Sequence, residues 1–273
     1  MANAKMHTLK QKIGKHLRRL WRRAIRFYSE FKYKKYPENF EFPVKINDMQ
    51  FKFSFSNYPL DFAIVERIEG VREPETVAII NSLVFTGAHV VELGGCYGYF
   101  TAIMAACAGP QGKVLSIEGT PNNYKILVEN IHRNNFNNVK ACNYFVGESV
   151  GEVRFKEDEK NSNMVLHRKL PDNIAGTVSV LVRPLTSILE EYMFVPDIIF
   201  IDIEGFEIEV FSDLNAGYLL DNRPSIVFEI HEYKAKDKGL AFIKEILKRA
   251  NYTYRRVGSN MICFPNNKNL KVL

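Results

Sequence analysis

A glycine-rich turn between a short apolar run and a helix-compatible segment constrains the fold of this chain most. The apolar run ends near Glu92, and the turn that follows is Gly94-Gly95-Cys96-Tyr97-Gly98. An apolar, helix-compatible segment, residues 100–107, comes directly afterwards. A buried parallel strand, a tight loop and the amino terminus of a helix give this pattern. Glycine in such a loop allows a ligand to approach the backbone closely, because it has no Cβ atom.

A second acidic residue, Glu118, follows the next predicted strand, residues 113–117. It lies about 20 residues beyond the loop, where a carboxylate is suited to accept hydrogen bonds from the two hydroxyl groups of a ribose. The loop lacks the G-x-G-x-x-G spacing that seats a pyrophosphate on a helix, and the chain contains no G-x-x-x-x-G-K-[ST] sequence. The sequence therefore predicts a nucleoside-containing cofactor and disfavours NAD and nucleoside triphosphates.

Predicted strands and helices alternate in the rest of the chain. Further strands are predicted at residues 139–145, 152–155, 198–201 and 225–230, and helices at residues 73–83, 120–134 and 237–250. A closing hairpin is predicted at residues 252–264, and residues 157–177 are polar and form a predicted loop beside the site. This order predicts an α/β fold with a doubly wound, predominantly parallel Rossmann-like sheet and a C-terminal antiparallel hairpin.

Three segments are predicted along the chain: a basic amphipathic N-terminal helix in residues 1–36, a small N-terminal β-hairpin in residues 37–72, and the cofactor-binding domain in residues 73–273. The first segment holds 12 basic residues and one acidic residue, a local charge of +11, whereas the whole chain carries +6. Its apolar residues recur at steps of three and four, as in an interfacial helix. We expect it to contact an anionic membrane surface or a second subunit.

Composition and charge disfavour several other classes of protein. The sequence has no apolar run of 18 residues, and residues 1–15 lack the apolar core of a secretory signal. The 4 cysteines are scattered without a C-x-x-C pair, which favours reduced thiols in a cytoplasmic protein. Outside residues 1–36 the charge is −5, which disfavours nucleic-acid binding. We expect a cytoplasmic protein that residues 1–36 are able to hold at a membrane surface.

Four motifs carry a resemblance to a known family. Residues 202–207, at the end of a predicted strand, match D-x-E-G-x-E, and residues 223–231 contain R-P followed by E-I-H. Residues 118–121 are similar to an E-P-x-P segment, and residues 184–189 to a T-L-D-S-L stretch. Together they resemble the FkbM-type family of class I S-adenosylmethionine-dependent methyltransferases.

The resemblance implies S-adenosylmethionine as the cofactor and transfer of a methyl group to a hydroxyl of a sugar, glycan or glycosylated small molecule. The family commonly has D-x-G-A-N-x-G in the cofactor loop, whereas this chain has Glu92, Gly95 and Cys96 at the Asp, Ala and Asn positions. The absent Asn affects one hydrogen bond to the cofactor and not the fold. The alternatives are an NAD or nucleotide-sugar enzyme and a non-catalytic, cofactor-binding scaffold.

The predicted site residues lie at strand ends, because ligands bind at the carboxyl ends of parallel strands. The predicted cofactor-binding residues are Glu92, Gly94, Gly95 and Gly98 near the methionine end, Glu118 at the ribose and Glu148 at the adenine amino group. His231 is the predicted base, because its ordinary pKa of about 6.5 suits proton abstraction near neutrality. Asp202, Glu204 and Glu229 complete the predicted catalytic group.

A divalent metal is the alternative role for part of this group. Asp202, Glu229 and His231 offer oxygen and nitrogen ligands, as in metal-dependent O-methyltransferases. The Asp-Asn pair that such enzymes usually show after the fourth strand is replaced by Glu204-Gly205. Metal dependence is therefore not favoured, and no metal ligand is predicted.

Overall fold

The structure is a computed structural model, and it describes residues 32–33, 40–55, 62–156, 177–203, 205–230 and 237–266. The predicted amino-terminal helix up to residue 31 lies outside the described residues, and so do all residues but the last of the loop predicted at residues 157–177. The chain divides into two units, Met1–Pro74 and Glu75–Leu273. In the described part of the chain, no helix is long and apolar enough to cross a membrane.

The first unit contains an antiparallel hairpin and a short helix. Strands β1 (Phe42–Ile46) and β2 (Met49–Phe53) pair through a turn that begins at Asn47, and helix α1 covers Phe62–Ile68. Asn47 has a φ of 53°, a left-handed conformation that Asn tolerates in tight turns. Buried and exposed side chains alternate along β1, so one face of the hairpin carries an apolar layer. The predicted hairpin is confirmed.

After α1 the chain alternates strands and helices. The strands are β3 (His89–Leu93), β4 (Lys113–Ile117), β5 (Val139–Cys142), β6 (Phe145–Val146), β7 (Gly151–Lys156), β8 (Thr177–Arg183), β9 (Ile198–Ile201), β10 (Ser225–Glu229), β11 (Tyr252–Val257) and β12 (Asn260–Pro265). The helices are α2 (Pro74–Leu83), α3 (Tyr99–Ala108), α4 (Pro121–Arg133), α5 (Leu185–Glu191), α6 (Glu207–Asn222) and α7 (Asp237–Arg249).

The main sheet has seven strands in the order β11-β12-β10-β9-β3-β4-β5. The strands from β10 to β5 in this order pair in parallel, and β12 runs antiparallel between β10 and β11. From β3 the chain adds β4 and β5 towards one edge of the sheet. It then returns to the other side of β3 with β9 and adds β10 towards the opposite edge, so the strand order reverses between β3 and β9. Such a switch point leaves a crevice at the carboxyl ends of the strands, where α/β proteins bind ligands.

Helices cover both faces of the main sheet. The side chain of Glu92 points to one face, where it contacts Thr101 of α3. Val91 and Leu93, which alternate with Glu92, belong to an apolar cluster with side chains of α5, α6 and α7. Full burial of each such apolar side chain contributes about 1.5–3 kcal/mol. The predicted α/β class, with a doubly wound, mostly parallel Rossmann-like sheet and a C-terminal antiparallel hairpin, is confirmed.

The third strand of the main sheet is shorter than predicted. The strand predicted at residues 139–145 ends at Cys142, and β6 belongs to a separate three-stranded sheet in the order β6-β8-β7. The reason is Asn143, because its side-chain amide donates hydrogen bonds to the loop after β4. These bonds turn the chain out of the main sheet between β5 and β6.

Strand β8 is absent from the sequence predictions, and its first residue falls in the predicted loop. It pairs in parallel with β6 and antiparallel with β7. Its sequence, Thr-Val-Ser-Val-Leu-Val-Arg, places Val at every second position, which is a pattern typical of strands. This alternation is the signal that identifies the strand. The strand directly follows the polar residues that indicate a loop.

Candidate functional site

The loop after β3 begins with a glycine that has no room for a side chain. Gly94 has a φ of 93°, and its N–H donates to the carbonyl oxygen of Ile117 at 2.8 Å. A Cβ atom at this position would lie 1.9 Å from the carbonyl oxygen of Asp202. The loops after β3 and β9 therefore meet backbone to backbone across the switch point. The space left by the absent side chain of Gly94 is filled by Asp202.

Two further glycines shape this loop. A Cβ atom at Gly95 would lie 2.3 Å from Ser116 Oγ, so a side chain here would displace the polar groups beneath the loop. Gly98 has a φ of 84° and caps the amino terminus of α3, and its N–H donates to the carbonyl oxygen of Gly95 at 2.8 Å. The loop glycines thus allow close packing inside the protein, and their contact with a cofactor stays a prediction.

Glu92 lies in a buried polar cluster behind the loop. Its Oε2 accepts hydrogen bonds from Thr101 Oγ1 at 2.5 Å and from Ser116 Oγ at 2.6 Å, and the residue is 4% exposed. Burial raises the pKa of Glu92 to about 7; the two hydroxyl groups oppose this shift, and the charge of Glu118 adds to it. This oxygen of Glu92 is thus hydrogen-bonded to two hydroxyl groups in the protein interior. A contact of Glu92 with the methionine end of a cofactor stays a prediction.

The free energy of unfolding is expected to fall as the pH rises from about 4.5 to about 7, because the folded state binds the proton of Glu92 more tightly than the unfolded chain does. The stabilisation is fully present below this range and is lost above it. A shift of this size corresponds to a free energy of the order of 3 kcal/mol. Urea unfolding at about pH 5 and about pH 8 measures the change.

Glu92→Gln should reduce this pH dependence, because it removes the titrating group and keeps its shape. The same substitution at Glu190, an exposed residue of α5, is the matched control and should leave the pH dependence unaltered. An equal pH dependence in the unaltered protein and both variants would contradict the assignment to Glu92.

Glu118 bridges the loops that follow β3 and β4. Its Oε2 accepts the N–H of Cys96 at 2.8 Å, and its Oε1 accepts the N–H of Thr120 at 2.7 Å. The side chains of Thr120 and Asn123 also donate to this carboxylate. Burial raises the pKa of Glu118, which is 6% exposed, and these donors oppose the shift. The carboxylate therefore lies at the carboxyl edge of the sheet, where the sequence predicts a ribose-binding acid.

Two asparagines support these loops and are absent from the sequence predictions. Asn143 Nδ2 donates to the carbonyl oxygens of Glu118 and Gly119, at 2.7 and 3.1 Å. Asn130, which is 2% exposed, donates through Nδ2 to the carbonyl oxygen of Tyr97 at 2.8 Å. Asn130 lies on the buried face of α4, where an amide needs a partner. A polar residue on an apolar helix face is the signal that could have identified it.

The chain around β6 approaches both the loop after β4 and helix α6. The ring of Phe145 packs on Gly119, where a Cβ atom would lie 2.5 Å from the ring. Glu148, the predicted adenine-binding residue, is exposed, and its Oε1 accepts a hydrogen bond from Ser212 of α6 at 3.0 Å. The structure thus places Glu148 beside α6, and its contact with adenine stays a prediction.

Two of the predicted catalytic residues, Asp202 and Glu229, are described and lie close together. Asp202 follows β9, and Glu229 is the last residue of β10, which pairs in parallel with β9. One carboxylate oxygen of Asp202 lies within 4.8 Å of one of Glu229, and both residues are half-buried. Glu204 and His231 lie outside the described residues. Two carboxylates at this distance can orient a base or hold a divalent cation.

The last acid of the motif at residues 202–207 has a local structural role. Glu207 is 4% exposed, and its Oε1 accepts the N–H of Gly205 at 3.1 Å. Gly205 has a φ of 102°, a conformation that glycine adopts without steric cost. The motif therefore combines an acid at the end of β9 with a tight turn into α6.

A comparison with known families identifies the chain. The sequence profile described as the methyltransferase FkbM domain matches residues 87–254, which is more than half of the chain. The chain belongs to the FkbM methyltransferase domain family. The matched range of this FkbM domain begins just before β3 and ends within β11, so it contains the switch point and every predicted site residue. The resemblance noted in the sequence is confirmed.

Two curated relatives, both named protein-L-isoaspartate O-methyltransferase, match parts of the FkbM-domain protein. The relative from Methanococcoides burtonii is 32% identical over 108 residues, which is 39% of this chain and 50% of the relative. The relative from Methanothrix thermoacetophila is 35% identical over 71 residues, which is 25% of this chain and 34% of the relative. The chain thus spans half or less of the length of these relatives. A solved O-methyltransferase from Bacillus cereus in complex with SAH is similar at 17% identity and a TM-score of 0.45, over 71% of this chain and 82% of that chain.

Proposed function

We propose that the protein is an S-adenosylmethionine-dependent methyltransferase that methylates a hydroxyl group of a sugar, a glycan or a glycosylated small molecule. The observation that carries the proposal is the position of Glu118, whose carboxylate bridges the loops after β3 and β4. Membership of the FkbM family supports the same activity. The names of the two curated relatives, both O-methyltransferases, support transfer to oxygen.

The donors around Glu118 fit a bound ribose. The backbone N–H groups of Cys96 and Thr120 each fix one carboxylate oxygen, and a ligand cannot displace them without moving the loops. The side-chain donors of Thr120 and Asn123 can rotate away to other staggered conformations. Two ribose hydroxyl groups would take their places, so the buried carboxylate keeps its hydrogen bonds in the free and the bound protein.

The residues at the ends of β9 and β10 are assigned to the acceptor side of the reaction. When bound, S-adenosylmethionine supplies a methyl group that is activated by a positively charged sulfur. Transfer of that methyl group to an acceptor hydroxyl would release the hydroxyl proton, which a base of this chain would take up. We assign His231 as this base, because a neutral imidazole accepts a proton near neutral pH. Asp202 and Glu229 are assigned to orient the base and the acceptor.

A divalent cation is the less favoured assignment for the two carboxylates. Asp202 and Glu229 offer oxygen ligands within 4.8 Å of one another, which suits Mg²⁺ chemically. When bound, such a cation lowers the pKa of a hydroxyl group that contacts it. The replacement of the usual Asp-Asn pair by Glu204-Gly205 supports the metal-free assignment.

Glu118→Ala is expected to weaken the binding of S-adenosylhomocysteine by about tenfold or more, because charge-assisted hydrogen bonds to the ribose contribute about 1.5–3 kcal/mol. Isothermal titration calorimetry measures the affinity, and circular dichroism checks the fold. Glu118→Gln keeps one acceptor oxygen for the loops and should also bind more weakly, which separates loss of the ligand bond from loss of the loop structure.

Glu190→Ala is the matched control, because it removes an exposed carboxylate of α5. It should bind S-adenosylhomocysteine as the unaltered protein does. If both variants at residue 118 bind with unaltered affinity, Glu118 does not belong to the cofactor site.

A thermal-shift comparison separates the proposed donor from the alternatives. S-adenosylhomocysteine should raise the melting temperature by mass action, whereas NAD and UDP-sugars should not. The protein is then incubated with a methyl-labelled donor and a cell extract of glycans and lipids. Label in a base-stable, glycosidase-sensitive product supports the proposed acceptor, and label in a base-labile methyl ester contradicts it. Binding of the donor without transfer to any acceptor would support the non-catalytic scaffold.

A further inference from the structure

The side chain of Asn143 is directed at the turn that follows β4. This residue directly follows β5, and its Nδ2 donates to the carbonyl oxygens of Glu118 at 2.7 Å and of Gly119 at 3.1 Å. Carbonyl oxygens accept hydrogen bonds and do not donate them, so the side-chain atom between them is the amide nitrogen and not the amide oxygen. Asn143 therefore holds two consecutive carbonyl groups of one turn.

One of these carbonyl groups shares a peptide group with a donor to the carboxylate of Glu118. The carbonyl of Gly119 and the N–H of Thr120 belong to the same peptide group, which is planar, so the two move together. This N–H donates to Glu118 Oε1 at 2.7 Å. The hydrogen bond from Asn143 to the Gly119 carbonyl thus fixes the plane that aims the N–H at the carboxylate. It also polarises the same amide towards stronger donation.

The rest of the turn is held by other contacts. The N–H of Glu118 donates to the carbonyl oxygen of Cys142 at 3.0 Å, so the backbone at the end of β5 holds the start of the turn. The ring of Phe145 packs on Gly119, where a Cβ atom would lie 2.5 Å from two ring carbons. These contacts limit the position of the turn, and the amide of Asn143 restrains the rotation of its peptide groups.

We propose that Asn143 is a positioning residue that raises the affinity of the protein for the ribose of its cofactor by orienting Glu118. This inference rests on the proposed function, because it requires Glu118 to bind the ribose. The carboxylate of Glu118 is 6% exposed and has one oxygen fixed by the Thr120 N–H. A rotation of the Gly119–Thr120 peptide group therefore moves this oxygen relative to the two ribose hydroxyl groups, although Asn143 itself does not touch them.

Isothermal titration calorimetry of the full chain with S-adenosylhomocysteine tests the proposal. Asn143→Asp keeps the shape of the side chain and removes its N–H donors, and Asn143→Ala removes the whole amide. Each variant should bind about fivefold to thirtyfold more weakly, because hydrogen bonds to the charged carboxylate are misaligned and not removed. Asn137→Asp, at an exposed position between α4 and β5, is the matched control and should keep the affinity of the unaltered protein.

A second ligand separates the positioning of Glu118 from a general loss of structure. The 2′-deoxyribose analogue of S-adenosylhomocysteine lacks one of the two hydroxyl groups that Glu118 is assigned to bind. In the unaltered protein this analogue should bind about tenfold more weakly than S-adenosylhomocysteine. In the Asn143 variants the two ligands should differ by about threefold or less, because the carboxylate is no longer aligned with both hydroxyl groups. A general loosening of the site would weaken both ligands by the same factor.

The Glu118→Ala protein provides an independent check of the route. If Asn143 acts through the carboxylate, adding Asn143→Ala to Glu118→Ala should alter the affinity for S-adenosylhomocysteine by less than about twofold. A further loss as large as the one that Asn143→Ala causes in the unaltered protein would mean that Asn143 acts by another route, and it would overturn the proposal.

The remaining outcomes separate this inference from the proposed function. If the unaltered protein does not bind S-adenosylhomocysteine, both are overturned. If it binds and the Asn143 variants bind with unaltered affinity, Asn143 has no positioning role and the proposed function stands. Equal weakening of both ligands, or failure of both variants to fold as judged by circular dichroism, would assign Asn143 to structure alone and overturn the inference.

Discussion

His231→Ala is expected to lower kcat for methyl transfer by about 10²–10⁴-fold, which is the range for loss of a general base. An alcohol is a poor nucleophile at neutral pH, so its proton must leave during the transfer. The affinity for S-adenosylhomocysteine should stay nearly unaltered, because His231 follows β10 whereas the predicted ribose-binding Glu118 follows β4. Turnover with a methyl-labelled donor and calorimetry measure the two quantities on one preparation.

The pH profile distinguishes a base from a histidine with a structural role. In the unaltered protein, kcat should fall on the acid side of its pH profile, as the imidazole gains a proton. His132→Ala removes an exposed histidine of α4 and is the matched control, which should keep both the rate and the profile. If His231→Ala keeps most of its turnover and Asp202→Asn is inactive, the base is the carboxylate of Asp202 and not His231. Recovery of an EDTA-treated protein on addition of Mg²⁺ would instead assign Asp202 and Glu229 to a metal.

The main sheet was predictable because its signals are local. A parallel strand that is covered on both faces forms a continuous apolar run, and β9 is such a run, with every residue buried. The position of Glu118 at the end of β4 was predictable for a similar reason. The residue directly follows the strand, and the Thr120-Pro121 pair that comes next starts α4. In both cases the residues that carry the signal are neighbours in the sequence.

The smaller sheet was not predictable in this way. Strand β6 has 2 residues, and its pairing partner in β8 lies far along the chain. Its separation from β5 depends on the hydrogen bonds of Asn143 to the loop after β4, which no periodicity encodes. The same limit applies to the glycine-rich loop. Its conformation was predictable, but the residue that fills the space beside Gly94 belongs to the loop after β9.

Gly94→Ala is expected to destabilise the folded protein by more than about 4 kcal/mol, a loss that few single substitutions cause. The new Cβ atom would lie 1.9 Å from the carbonyl oxygen of Asp202, so one of the two loops must move. The φ of 93° adds strain for any residue with a Cβ atom. Movement of the loop after β9 also displaces Asp202, so any variant that remains folded should lose turnover. Urea unfolding measures the free energy directly.

Gly87→Ala is the matched control, because it shares the backbone conformation and lacks the collision. Gly87 has a φ of 88°, and in the described part of the chain a Cβ atom there would meet no atom within 4 Å apart from those of its chain neighbours. This variant should lose only about 1–2 kcal/mol, the cost of the left-handed conformation itself. The difference between the two variants therefore measures the contact between the loops after β3 and β9. Equal losses would mean that backbone conformation alone explains the glycine at position 94, and that this contact does not hold Asp202 at the switch point.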